Sequence, residues 1–130
     1  MHRSLYPVTL TLDVPAEVAH GRRVPIVLRV GNETSHAIEI GLGGRDLTFD
    51  VVITDAAGHV VWRRLQGAAM QAILQLRILA PGETLELHAE WAGRGARGRL
   101  VPAGEYTVQA LLPTDEPEPL RAPPRRVRLR

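Results

Sequence analysis

The feature that most constrains this chain is alternation. In "DLTFDVVIT", Leu47, Phe49, Val51 and Ile53 point one way while Thr48, Asp50 and Thr54 point the other. In "TLELHAEW", Leu85, Leu87, Ala89 and Trp91 alternate with Glu86, His88 and Glu90; "GEYTVQALL" puts Tyr106, Val108, Ala110 and Leu112 on one face. Successive side chains leave a strand on opposite sides, so each stretch reads as a strand with one buried and one wet face. The same pattern fits Val8–Val14, Val24–Val30, Ile38–Ile40, Val60–Leu65, Leu74–Ile78 and Val127–Leu129. Short strands at this spacing, about seven to nine of them, predict an all-β antiparallel sandwich.

Turn chemistry separates the strands. "DAAGH" at Asp55–His59 reads as a hairpin, and "GNETSH", "GLGGRD", "APGE" and "PAG" punctuate the rest. One segment competes as a helix, because "QGAAMQAILQLRIL" has helix-forming composition that Pro81 and Gly82 would terminate. No good N-cap precedes it, so the expectation is a short helical turn near Ala68–Ala72 and strand beyond. "PTDEPEPLRAPPRR" reads as a proline-rich connection over residues 113–124, leading to a last strand at 125–130. The whole of 1–130 is expected to be a single sandwich domain, with Trp62 and Trp91 anchoring its core or rim.

Composition narrows the function. Aromatic residues are only 4%, so aliphatic side chains fill the core. Without cysteine there is no disulfide, thiolate nucleophile or cysteine zinc site, which suits a reducing cytosol. No apolar run is long enough to span a membrane, and "MHRSLYPVTLTLDV" alternates like a strand, unlike a signal peptide. The expected place is the cytoplasm, or the cell envelope if a leader once preceded this sequence. Arginine is the basic residue throughout and lysine is absent; with abundant Ala, Gly, Leu and Pro this fits GC-rich bacterial coding. The net charge is only +2, a weak case for nucleic acid.

Candidate chemistry is sparse. Glu86, His88 and Glu90 share a strand face, but same-face neighbours are about 7 Å apart, too far to close on one cation without help. They read as a solvated face. His20, His36 and His59 fall in turns, Ser4 and Ser35 lack a nucleophile-elbow context, and Asp55 suits a turn. "GLGGRD" lacks the lysine and helix of a phosphate loop, and "NET" at Asn32–Thr34 is a bare glycosylation sequon. Neither an enzyme nor a cofactor or metal is expected. "GRGARGR" at Gly93–Arg99 and the terminal "RRVRLR" hold arginines without interleaved aromatics to stack bases. They read as a flexible solvated loop and an edge strand guarded by Arg126, Arg128 and Arg130.

One ordered set of residues points further. Asn32 lies in a turn, and Phe49 and Val51 lead into the hairpin ending at Gly58. Val61 and Trp62 follow, then a short loop into Gln71-Ala72, then Pro81-Gly82-Glu83. A strand ends at Trp91, and Pro102, Gly104, Tyr106 and Val108 complete the series. Over about residues 30 to 112 this resembles the Bacillus-type intracellular proteinase inhibitor domain family of bacteria. The resemblance implies an immunoglobulin-like sandwich acting by protein–protein contact on a serine protease of the subtilisin type. The alternative is an immunoglobulin-like interaction module without inhibitory activity. An inhibitor must offer a rigid extended segment to the protease cleft. The first candidate contact is the apolar loop Gly67, Ala68, Ala69 and Met70, where Met70 stands in place of the family's phenylalanine. The second is Arg94, Arg97 and Arg99, with an arginine for a trypsin-like pocket; its glycines imply flexibility, which disfavours it.

Overall fold

The structure, a computed structural model, describes residues 7–43, 49–65, 74–114 and 118–130. Strands run through them in chain order: β1 (Thr9–Asp13), β2 (Glu17–Val18), β3 (Val24–Gly31), β4 (Ile38–Gly43), β5 (Asp50–Thr54), β6 (Val60–Arg63), β7 (Leu74–Leu79), β8 (Thr84–Trp91), β9 (Gly104–Leu112), β10 (Leu120–Arg121) and β11 (Arg125–Leu129). The described residues contain no helix; the turn considered at Ala68–Ala72 lies outside them.

The strands form an all-β sandwich. One sheet has the order β1-β3-β8, and the facing sheet runs β2-β11-β9-β5-β6, with β10 added to β9. β4 and β7 make a two-stranded ribbon, and the pairing is antiparallel everywhere except between β2 and β11. Period two is obeyed where it decides the core. Val24, Ile26, Leu28 and Val30 of β3, Leu87 and Trp91 of β8, and Tyr106, Val108, Ala110 and Leu112 of β9 all point inward into one hydrophobic cluster. Val51 and Ile53 of β5, Ile40 and Leu42 of β4, and Val127 and Leu129 of β11 join it. Trp91 is fully buried, whereas Trp62 packs half-buried at the rim. The Tyr106 hydroxyl donates to the Pro102 carbonyl at 2.6 Å, tying the start of β9 back to the preceding turn as the tyrosine corner of immunoglobulin-like sandwiches does.

Turns close as their residues dictate. At Ala80–Glu83 the Glu83 amide donates to the Ala80 carbonyl at 2.9 Å, with Pro81 and Gly82 at the centre. Gly82 has φ +79°, the conformation that this position of a type II turn reserves for glycine. Asn32 staples this turn to the β3–β4 connection and is only 1% exposed. Its amide nitrogen donates to the carbonyls of His36 (2.8 Å) and Leu79 (2.9 Å), while its oxygen accepts from the Thr34 amide and hydroxyl. The sequon asparagine is therefore a buried, fully engaged strut.

At the β5–β6 hairpin one Asp55 oxygen accepts from the amides of His59 (2.9 Å) and Ala57 (3.0 Å), the turn role its position suggests. The His59 amide, assisted by that of Ala57, holds the Asp55 carboxyl below its ordinary value of 3.8. A depressed folded-state pKa stabilises above the unfolded value and loses that contribution as pH falls through the folded one. The stability gap between wild type and Asp55→Asn should therefore be constant above about pH 5 and close below it, read from urea midpoints across a pH series.

Four expectations need correction. Asp50, placed on the polar face by alternation, is buried. Leu76 and Ile78 of β7 face solvent, while Leu79 turns inward, because β7 pairs with β4 in a ribbon whose inner face is set by Ile38↔Leu79. The proline-rich connection is not merely extended: Thr114 bridges to Leu42, and β10 pairs with Leu111 and Leu112 of β9. Finally, β11 is no edge strand. It lies between β9 and β2, and the Arg128 and Arg130 amides donate to Ala16 and Val18.

Candidate functional site

The first candidate contact, Gly67, Ala68, Ala69 and Met70, lies outside the described residues; the chain on either side of it does not. On the β6 side Asp50 acts as an anchor. One of its oxygens accepts from the amides of Val51 (2.9 Å) and Leu65 (3.0 Å), and the other accepts from the Arg63 guanidinium at 2.8 Å. The Arg64 amide donates to the Val51 carbonyl at 2.9 Å, and its guanidinium donates to the Phe49 carbonyl at 2.8 Å while lying 5.5 Å from the Phe49 ring centroid. The chain is thus fixed through Leu65. On the other side the described chain resumes at Leu74, which pairs with Gly43 at the end of the β4–β7 ladder.

The second candidate is ordered in a way its glycines conceal. The Gly95 amide donates to the Arg99 carbonyl at 2.9 Å, the Gly98 amide to the Gly95 carbonyl at 2.9 Å, and Arg94 bridges to Leu100. With Gly98 at φ +78°, this is a type I turn followed by a glycine bulge, the common three-residue hairpin loop. The Arg94 side chain donates to the Gly98 carbonyl at 2.7 Å, the Val101 amide to Gly93, and the Trp91 indole N–H to the Arg94 carbonyl at 3.0 Å. The expected flexible loop is a pinned hairpin. Arg97 sits exposed at its apex in a turn, whereas a protease binds an extended segment. Cleavage at Arg94, Arg97 or Arg99 must await opening of the hairpin. Limited digestion with trypsin should leave the folded protein intact at these sites, and cleavage should appear once urea populates the unfolded state.

The remaining candidates are engaged elsewhere. Glu86, His88 and Glu90 lie exposed on the outer face of β8, where Glu86 accepts from Arg29 at 3.2 Å and Glu90 from Arg23 at 3.0 Å. Arg29 also reaches Asp13 at 3.2 Å, making a cross-strand charge ladder over β1, β3 and β8. Among the described residues no three acidic, histidine or cysteine side chains gather as metal ligands. His20 contacts the Val101 carbonyl at 2.6 Å, His59 caps Asp55, and His36 offers its carbonyl to Asn32. Sequence reasoning missed Asp50 as a structural anchor; an acidic residue at the start of the β5–β6 hairpin with Arg63-Arg64 at its end was the available signal. The exposed Leu76 and Ile78 were missed as surface.

Comparison with known proteins settles the family. The model described as "Intracellular proteinase inhibitor" (BsuPI) matches residues 10–117. The chain belongs to this family. The matched segment of this family member begins in β1 and so reaches well beyond residues 30 to 112, while β11, which completes the larger sheet, follows it. No curated protein matches the sequence. Among solved structures, the chain is similar to the Pseudomonas fluorescens alkylpurine DNA glycosylase AlkC (16% identity, TM-score 0.53), covering 98% of this chain and 31% of that one. It is also similar to a β-glucosidase of Listeria innocua (14% identity, TM-score 0.53; 99% of this chain, 17% of that one) and to the β-glucosidase EmGH1 of Erythrobacter marinus (19%, 0.50; 95% and 16%). At these identities the likeness is of fold. The family member spans less than a third of each of these chains.

Proposed function

We propose that this protein is a non-enzymatic inhibitor of a serine protease of the subtilisin type, working in the cytoplasm by protein–protein contact through Gly67, Ala68, Ala69 and Met70. Family membership supports an inhibitor-like role. The observation that carries the choice of loop is its stem: the chain entering it is held at Leu65 by Asp50, and the chain leaving it joins the β4–β7 ladder. A segment whose two flanks are fixed beforehand loses less freedom in the cleft than one with free flanks. Met70 supplies an apolar side chain for an apolar specificity pocket. The Arg94–Arg99 hairpin ranks second because its apex is a closed turn.

The test is a titration into subtilisin-like and trypsin-like proteases, following residual activity and integrity of the chain together. Stoichiometric loss of subtilisin-like activity with the chain intact, relieved by Met70→Asp, is the expected result. Undiminished activity at excess protein would overturn it. The second reading, an immunoglobulin-like interaction module without inhibition, is favoured by one specific observation: Leu76 and Ile78 form an apolar stripe on an outer strand.

A further inference from the structure

Several arginines of the sandwich answer to a nearby carboxylate: Arg23 to Glu90, Arg29 to Asp13 and Glu86, Arg63 to Asp50, and Arg130 to Glu17. One region departs from this. The β2–β3 turn at residues 19–23 and the segment 92–103 together hold five arginines (Arg22, Arg23, Arg94, Arg97 and Arg99) and no acidic residue. Over the whole chain the two signs nearly balance, at 16 basic and 14 acidic residues. Arg22, Arg97 and Arg99 are exposed, and no carboxylate among the described residues lies within ion-pair reach of them. The fold brings the two segments together, because both leave the β3–β8 ladder at its Val24–Trp91 end. The His20 ring contacts the Val101 carbonyl at 2.6 Å, and a Cβ on Gly93 would sit 3.8 Å from the Arg22 carbonyl. The Trp91 indole on the Arg94 carbonyl and the Arg94 guanidinium on the Gly98 carbonyl brace the hairpin, so Arg97 and Arg99 extend from a fixed frame. Leu100 follows them, pairs across the hairpin with Arg94 and is 44% exposed.

Guanidiniums without an internal partner match carboxylate and phosphate alike, since the planar fork fits both. Three observations select carboxylate. A nucleic-acid backbone gains affinity from many phosphate contacts along its length, and three such arginines provide few. The region is also bordered by acids: Glu90 precedes it, and Asp55 and Glu105 line the shallow groove beside Pro102 and Ala103. A long polyanion would run onto them, whereas a short acidic segment ends before it does. Leu100, finally, is an apolar contact that a peptide side chain fills and a phosphate backbone leaves unused. We propose that this end of the sandwich docks a short acidic segment of a protein partner. Arg22, Arg97 and Arg99 take its carboxylates, and Leu100 takes an apolar side chain set among them. The inference stands apart from the protease reading. β9 begins at Gly104, just past the basic segment, and its Leu111 pairs with Asp50, whose carboxylate holds Leu65. Gly104 and Leu111 lie about 20 Å apart along the strand, so the flank of the first contact loop is at the other end of the sandwich.

The probe is a fluorescein-labelled peptide of aspartate and glutamate around one central leucine, followed by anisotropy across a salt series. Binding should be tightest at low salt and weaken as salt screens the ion pairs. Arg97→Glu combined with Arg99→Glu should lower the low-salt affinity about tenfold or more, a factor that shrinks as salt rises. Leu100→Ser should weaken binding by a factor that salt leaves unchanged, because an apolar contact is not screened. Arg121→Glu combined with Arg126→Glu makes the same change of charge further along β9, beside Leu111 and Thr107, and should alter affinity only about twofold. All these side chains are exposed or partly exposed, so Tm should hold. Equal losses from the two double variants overturn the proposal, as does binding indifferent to Leu100→Ser; either would mean attraction of any anion. A DNA duplex that binds more tightly than the peptide at the same salt overturns it in favour of nucleic acid. So does a peptide that fails to bind at the lowest salt, which leaves the region a solvated end.

Discussion

Trp91→Ala is expected to cost about 3–5 kcal/mol, a large part of the roughly 5–15 kcal/mol that holds a domain folded. Trp91 is the largest fully buried side chain in the core. It ends β8 opposite Val24 and meets Tyr106 edge-on, with centroids 5.4 Å apart and planes at 64°. Truncation removes its apolar contacts and leaves a void that the rigid β3 and β9 backbones close poorly. It also strips the Arg94 carbonyl of its indole donor, at the base of the 93–101 hairpin. Trp91→Phe separates the two effects: the ring is largely kept, and losing the hydrogen bond should cost about 1–3 kcal/mol. Urea midpoints of the two variants give the comparison. Equal losses would mean the hydrogen bond dominates, and a loss below about 1 kcal/mol for alanine would refute the packing account. In Trp91→Phe trypsin should also cut the 93–101 hairpin faster than in wild type, since one of its ties is gone.

How much of this was legible beforehand depends on what alternation can encode. β3, β8 and β9 were readable because each keeps apolar residues on one side over eight or nine positions. β2 and β10 were invisible, since two residues cannot display a period. β7 failed for another reason. It carries Leu74, Leu76 and Ile78 at one parity and Leu79 at the other, and hydrophobicity alone says nothing about which parity faces inward. Tertiary pairing decided it: Leu79 lies opposite Ile38, which turns that parity toward the core and leaves Leu76 and Ile78 exposed. The Gly93–Arg99 segment misled through its glycines, which serve a tight turn and bulge as readily as a mobile loop. Asn32 was visible as a turn residue, but its bond to the Leu79 carbonyl 47 positions away was not. The Gly67–Met70 candidate rests on family resemblance, whereas the bond from the Leu65 amide to Asp50, 15 positions away, leaves no mark in the periodicity.

That stem yields the second large effect. Asp50→Ala is expected to lower stability by about 2–3 kcal/mol, because the amide of Leu65 loses its acceptor and that of Val51 loses a partner. Little is assigned to the Arg63 pair, since that guanidinium is half-exposed and screened. Asp50→Asn keeps an oxygen for the two amides and gives up only the charge, so it should retain most of the stability. The functional consequence is larger than the thermodynamic one. With Leu65 no longer held, the flank itself must also be fixed at the moment of binding, and an added cost of about 1.4 kcal/mol weakens inhibition tenfold. At a temperature where every variant is folded, inhibition should therefore fall about tenfold or more in Asp50→Ala and much less in Asp50→Asn. Substituting the core at a distance, as in Ile26→Val, should lower stability without changing inhibition. If Asp50→Ala inhibits as strongly as wild type while folded, the stem does not position the loop and the contact must be sought elsewhere on the sandwich.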